Sequence, residues 1–295
     1  IIITNLFSLA CTNNILENNS VTENYYGVRI SGSWYTVLRN NILNNNVLNF
    51  YVYDFVSILP PASDIYINDI DSSNTVDGKP IIYWLNEQDK TVPSDAGYVA
   101  LVNCTNMTVQ NLDLAHNGQG IVLVSTTDSL ITKNHVTNND WGIFIHNSSN
   151  LVITENNIES NDIGIETRRS SNVRIVGTSI NNNRIGMGIY DEHPNHIIHH
   201  NDFVENVKNL FIAGENTSLL ARWDDDKEGN YWSNYNGTDN DSDGIGDTPY
   251  IIDENNQDNY PLMEPTVIPE FPSWIILPLL IAVTVVVAIY KKRLP

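Results

Sequence analysis

The sequence predicts an all-β solenoid, a parallel β-helix of about 22 residues per coil with a C-terminal cap and one C-terminal transmembrane helix. Gly120, Gly142, Gly164 and Gly186 stand 22 residues apart, opening the segments Gly-Ile-Val-Leu, Gly-Ile-Phe-Ile, Gly-Ile-Glu-Thr and Gly-Met-Gly-Ile. Val136, Ile158 and Ile180 keep that interval, as do Val109, Ile131, Ile153 and Ile175, with Phe203 and Ile198 arriving one residue late. A polar column runs through Asn106, Asp128, Asn150, Asn172 and Asn195. Three apolar alternations per period, separated by Asn, Ser, Gly and Asp, are too short and too interrupted for helices. Such a unit cannot bury its apolar face alone, so coils stack, with like residues about 4.8 Å apart.

The Asn runs belong to the corners. An amide side chain donates and accepts at once, so it can bond the Asn above, the Asn below and its own turn, and Asn tolerates the left-handed backbone of a sharp corner. Asn44-Asn45-Asn46, Asn138-Asn139 and Asn181-Asn182-Asn183 are read this way. Ahead of the regular coils, Asn13 to Asn19 recurs as Asn40 to Asn46, with Gly27-Val28-Arg29-Ile30 between; the spacing of 27 predicts one longer loop. About eight coils fit before residue 215. The first residue is Ile and a strand-like segment starts at once, so the expectation is that N-terminal coils and an export signal precede it.

Residues 60–95 depart from the pattern through Pro60-Pro61 and the hairpin signal Asp77-Gly78, and predict an insertion that leaves the wall and packs back through Tyr83 and Trp84. Residues 216–264 are rich in Asp, Asn, Trp and Tyr; an open solenoid end must be covered, and Trp223, Tyr231, Trp232 and Tyr235 predict a cap. Residues 265–273 form a Pro-rich linker. Residues 274–290 are an uncharged apolar run followed by Lys291-Lys292-Arg293, which predicts a membrane span with the basic tail, 291–295, in the cytoplasm and the solenoid outside.

The net charge of −20 over 295 residues excludes nucleic acid as a partner, because phosphate binding needs a basic face. Two cysteines, Cys11 and Cys104, make neither a disulfide framework nor a thiolate metal site. Asn-x-Ser/Thr sequons begin at Asn18, Asn103, Asn106, Asn147, Asn216, Asn236 and Asn240, which fits a glycosylated, exported chain; Asn106 is expected to stay unmodified inside a ladder.

The stacked N-x-I, G-I-x-L and S-x-N-x-x-I repeats resemble the NosD-like, or CASH-type, right-handed β-helix family over most of residues 1–263. The segments Asp77 to Trp84, Gly229 to Tyr235 and Asp243 to Tyr250 are similar to those of archaeal members. Pro269-Glu270-Phe271-Pro272, with the apolar run and basic tail, resembles an archaeal PEF-type sorting signal. The resemblance implies carbohydrate binding or modification, or copper-site maturation as for the family's namesake.

Three chemistries are weighed on the residues. Asp239, Asp241, Asp243 and Asp247, with Gly244 at the turn and the carbonyl of Ile245, give the oxygen spacing of a Ca²⁺ loop. His193, His196, His199 and His200 offer imidazoles for copper, but His196 falls in the inward column of Leu151 and Val173, so they are expected to diverge. Along the strand after each repeat glycine, Phe144, His146, Glu166, Arg168 and Tyr190 project outward, with Arg169, Asp191, Glu192 and His193 at the edge. Glu166, Arg168, Asp191 and His193 are the candidates for catalysis on an acidic polysaccharide, as a lyase, epimerase or hydrolase. Asp191-Glu192-His193 resembles the Asp-Pro-His-Asp motif of β-helix uronate epimerases, but Pro194 stands where that motif ends in a carboxylate. The reading adopted is a membrane-anchored, cell-surface β-helix that binds glycans, or other surface proteins, and Ca²⁺, without catalysis.

Overall fold

The computed structural model describes residues 1–4, 11–53, 64–191, 195–213 and 221–266, and the statements below concern these. They form an all-β parallel solenoid of about eight turns. Three columns of apolar side chains line its interior. Ile121, Ile143, Ile165, Met187 and Leu210 stack in the first wall. Val109, Ile131, Ile153, Ile175 and Ile198 stack in the second. Leu114, Val136, Ile158, Ile180, Phe203 and Trp232 stack in the third. All are buried, which is why the register is held even where a coil is longer than 22 residues, as at Ile198, Phe203 and Leu210: a slip of one residue within a strand would turn its column outward.

Each corner is pinned by polar ladders. The amide oxygens of Asn139, Asn161 and Asn183 accept the backbone N–H of Asn117, Asn139 and Asn161 at 2.9–3.0 Å. The amide groups of Asn139, Asn161 and Asn183 donate to the carbonyls of Leu114, Val136 and Ile158 one coil away. The repeat glycines stand against the same ladder: a Cβ on Gly142 would lie 2.5 Å from the carbonyl oxygen of Gly164, so the close approach itself selects glycine. The column through Asp128, Asn150, Asn172 and Asn195 is a ladder too, at left-handed φ on the outside of its corner. Asn106 heads this exposed column and bonds Asp89, which corrects the expectation that its amide is enclosed between coils.

The N-terminal coils correct another expectation. Leu16 pairs with Leu38, Val21 with Leu43 and Ile30 with Val52, so the period is 22 there as well. The 27-residue spacing arose because similar Asn-rich motifs occupy two corners of one coil: Asn19 stacks on Asn41, and Asn24 on Asn46. The described part of the expected insertion is wall. Asp69–Ile70 and Thr75–Val76 continue the N-terminal sheets. The Asp77-Gly78 hairpin, at φ 47 and 80, then turns the chain into Lys79–Leu85, which opens the parallel register with Tyr98–Val102.

That hairpin sets the N-terminal coils against the outer face of the first wall. Leu48–Tyr53 is buried throughout, the Gly118 N–H donates to the Phe50 carbonyl at 2.8 Å and the Gln119 amide to that of Val52 at 3.0 Å. At the other end, Trp232 is stacked between Phe203 and Tyr250, at 4.4 and 4.3 Å, and the buried Asp258 accepts from the Trp232 indole and the Asn230 N–H. Among the described residues no helix is long and apolar enough to cross a membrane. The apolar run 274–290, the basic tail, most of the linker and Asn216 lie outside them.

Candidate functional site

Two outward columns carry the chemistry of the first wall. One runs Val122, Phe144, Glu166, Gly188, Phe211 and the other Val124, His146, Arg168, Tyr190. Both point out of the coil, as their spacing predicts, but the near half is covered. Phe144 lies under Tyr53 and Tyr66, and His146 stacks parallel on Phe144 at 6.3 Å. Burial, with Arg169 and Arg168 nearby, pushes the His146 imidazole down to about 4, so it is neutral at neutral pH.

Glu166 is 0 % exposed. Its carboxylate accepts from the Trp141 indole at 3.1 Å and from the Arg168 guanidinium, whose side chain keeps 30 % exposure. Arg168 in turn lies over the Tyr190 ring at 4.6 Å and beside Tyr53 at 5.7 Å. Beyond this pair the face opens: Gly188 has no side chain, Tyr190 and Phe211 are half-buried with rings 5.5 Å apart, and exposed Lys208 sits 4.9 Å over Phe211. The result is a shelf of half-exposed aromatic faces edged by cations. Tyr53, Trp141, Lys208 and Phe211 escaped the sequence reading; Trp141, Phe211 and Lys208 lie in register with the repeat, whereas Tyr53 arrives from the N-terminal coils.

The remaining catalytic candidates do not join this pair in one groove. Asp191 is a corner residue: it ends the ladder in which Ser148 and Ser170 bond the coil below, accepting the Ser170 N–H at 2.6 Å. Its other oxygen meets Nε2 of His196 at 3.1 Å, and His196 Nδ1 accepts the Val173 N–H, so both side chains are enclosed. His193, with Glu192 and Pro194, lies outside the described residues.

Two clusters of metal-type donors occur among the described residues. Asp239, Asp241 and Asp243 converge, with one oxygen of each within 4.8 Å of the others, and mutual repulsion raises the Asp241 pKa, Asp243 contributing most. Asp247, also expected among the ligands, lies outside this cluster of three; its Oδ2 accepts from the Thr238 hydroxyl and from Asn240 at 2.6–3.1 Å. The second cluster is His199, His200 and Asp225, again within 4.8 Å. The expected divergence of the histidines holds for His196 and fails for His199 and His200, because successive residues at a left-handed corner bring their rings together.

Stacked coils, polar corner ladders and a functionalised outer face define a periodic parallel β-helix. Residues 94–237 match the family model described as periplasmic copper-binding protein (NosD), and that match and the parallel solenoid fit a NosD-like β-helix family. No curated protein and no solved structure matched the chain. Copper and the periplasm are properties of the family as described; among the described residues of this chain, His199, His200 and Asp225 form a cluster with the imidazole and carboxylate donors that suit such an ion.

Proposed function

We propose that the chain is an exported surface β-helix that binds a glycan along the outer shelf of its first wall, without catalysing its breakdown. The observation that carries this reading is the change along the outward columns, from covered Val122 and Val124 to half-exposed Arg168, Tyr190 and Phe211 with Lys208 beside them. Aromatic faces offer an apolar body to sugar rings, and the guanidinium and ammonium offer donors to hydroxyl or carboxylate groups. Glu166 supports binding over catalysis, because Arg168 and Trp141 already occupy its carboxylate and no solvent reaches it. A glycan array probed with the 295-residue chain tests this: binding to uronic-acid or neutral oligosaccharides that is lost in Tyr190→Ala supports it. An array with no signal, or one unaffected by that change, contradicts it.

The same reading gives the chain a Ca²⁺ ion at Asp239, Asp241 and Asp243, whose crowding a divalent cation relieves. Millimolar Ca²⁺ then raises Tm, and Asp241→Ala removes the rise. It also anchors the solenoid outside the cell through the apolar run 274–290 and the basic triplet behind it, as the PEF-like segment suggests. Protease added to intact cells that leaves the solenoid uncut would overturn that orientation.

A further inference from the structure

We infer that His199, His200 and Asp225 form a binding site for one borderline divalent transition-metal ion at the junction of the last full coil and the segment that closes it. The two imidazoles face each other with Nδ1 2.6 Å from Nδ1, and a carboxylate oxygen of Asp225 lies within 4.8 Å of both. Two ring nitrogens can approach so closely only if one carries the proton and the other a lone pair. Glu228 decides which: its carboxylate stands 2.8 Å from His200 Nε2 and holds the proton there, leaving the His200 Nδ1 lone pair pointed at its neighbour. That is the carboxylate–histidine arrangement that orients an imidazole for a metal. Moving the His199 proton from Nδ1 to Nε2, the other neutral tautomer, puts two Nδ1 lone pairs and a carboxylate on one point.

The geometry is close to what an ion needs. Two nitrogens held about 2.0–2.1 Å from one metal at a tetrahedral angle stand about 3.3 Å apart, so the rings separate by less than about 1 Å on loading. The backbone is already fixed: the His200 N–H donates to the Gly229 carbonyl at 2.6 Å, and Asp225 holds its turn through Oδ1, which accepts from the N–H groups of Lys227 and Glu228. His199 is 6 % exposed, so one ligand is enclosed while His200 keeps access to solvent. Nitrogen-rich donors without thiolate select Cu²⁺ or Zn²⁺ over Ca²⁺, with Cu²⁺ the tighter. The oxygen-only cluster at Asp239 to Asp243 has the opposite preference.

Calorimetric titration of the 295-residue chain with Cu²⁺, Zn²⁺ and Ca²⁺, joined to electron paramagnetic resonance of the Cu²⁺ form, tests the site. One Cu²⁺ per chain with splitting from two nitrogens is expected, weaker Zn²⁺ binding at the same site, and loss of at least tenfold in Cu²⁺ affinity in His199→Gln/His200→Gln. His200→Asn is the second variant, since Asn accepts the left-handed corner at residue 200 and preserves the fold; its Cu²⁺ spectrum should show one protein nitrogen. Asp241→Ala should leave the Cu²⁺ titration unchanged. A Cu²⁺ spectrum with oxygen ligands only, or undiminished affinity in either folded histidine variant, overturns the assignment.

Discussion

Along the strands that carry Ile121, Ile143, Ile165 and Met187, the inward column hardly changes from coil to coil. The outward column one residue further on runs Val122, Phe144, Glu166, Gly188 and Phe211, with no two successive members alike. Both sets share one backbone and one hydrogen-bonded register. The inward side chain is boxed by its copies above and below, so stacking dictates its shape. The outward side chain answers only to whatever covers it: the N-terminal coils over Val122 and Phe144, and solvent from Arg168 onward. Fold is therefore written in the columns that repeat, and function has room in those that do not.

The widest gap between the two faces should appear on placing a carboxylate in each. Ile153→Asp puts an unpaired charge between Ile131 and Ile175 and should cost more than about 5 kcal/mol, enough to leave the coil unfolded. Urea unfolding of a soluble variant with unchanged midpoint would show that Ile153 does not face inward. Glu166, a natural outward carboxylate just as buried, survives because Arg168 neutralises it. Arg168→Ala should destabilise by about 3–5 kcal/mol by orphaning that charge, and adding Glu166→Gln should recover most of the loss. No recovery in the double variant would mean that packing of Arg168 against Tyr190 and Tyr53, rather than charge, holds the pair.

A smaller effect comes from His146, where the covered and open halves meet. Its folded pKa of about 4 lies below the ordinary 6.5, so below pH 6.5 the unfolded chain binds the proton that the folded chain refuses. Stability from this group is complete above pH 6.5 and lost as pH falls to about 4, on the order of 3 kcal/mol in all. Asp140 acts with opposite sign, since burial and Asp162 push its carboxyl up to about 6. The informative quantity is thus the difference between wild type and His146→Gln, which should shrink steadily from pH 7 to pH 4 in denaturant titrations. A constant difference across that range would place His146 in contact with water.

How far these features could be read from the sequence follows the same division. The three inward columns and the polar corners were legible because each repeats with one spacing, and His196 was placed inward by that spacing alone. The N-terminal register misled because Asn-rich motifs sit at two corners of a coil five residues apart, so 27 is one coil plus one corner step. Burial of Glu166 and Phe144 was invisible, since it depends on Tyr53 and Tyr66 arriving from a part of the chain with no periodic relation to them. The pairing of His199 with His200 was hidden for a local reason: adjacent residues of a strand point apart, and only the left-handed φ of 56° at residue 200 reverses this.

Whether the open half of the outer face is the proposed glycan-binding shelf is measured directly by calorimetry with defined oligosaccharides. Uronic-acid and neutral hexamers are titrated into wild type and into Tyr190→Ala/Phe211→Ala, two changes at half-buried outward positions that leave every inward column intact. Saturable binding to wild type, weakened at least tenfold in a variant of unchanged Tm, is the predicted result. Equal binding by both proteins, or heat of dilution alone from every sugar, would contradict it.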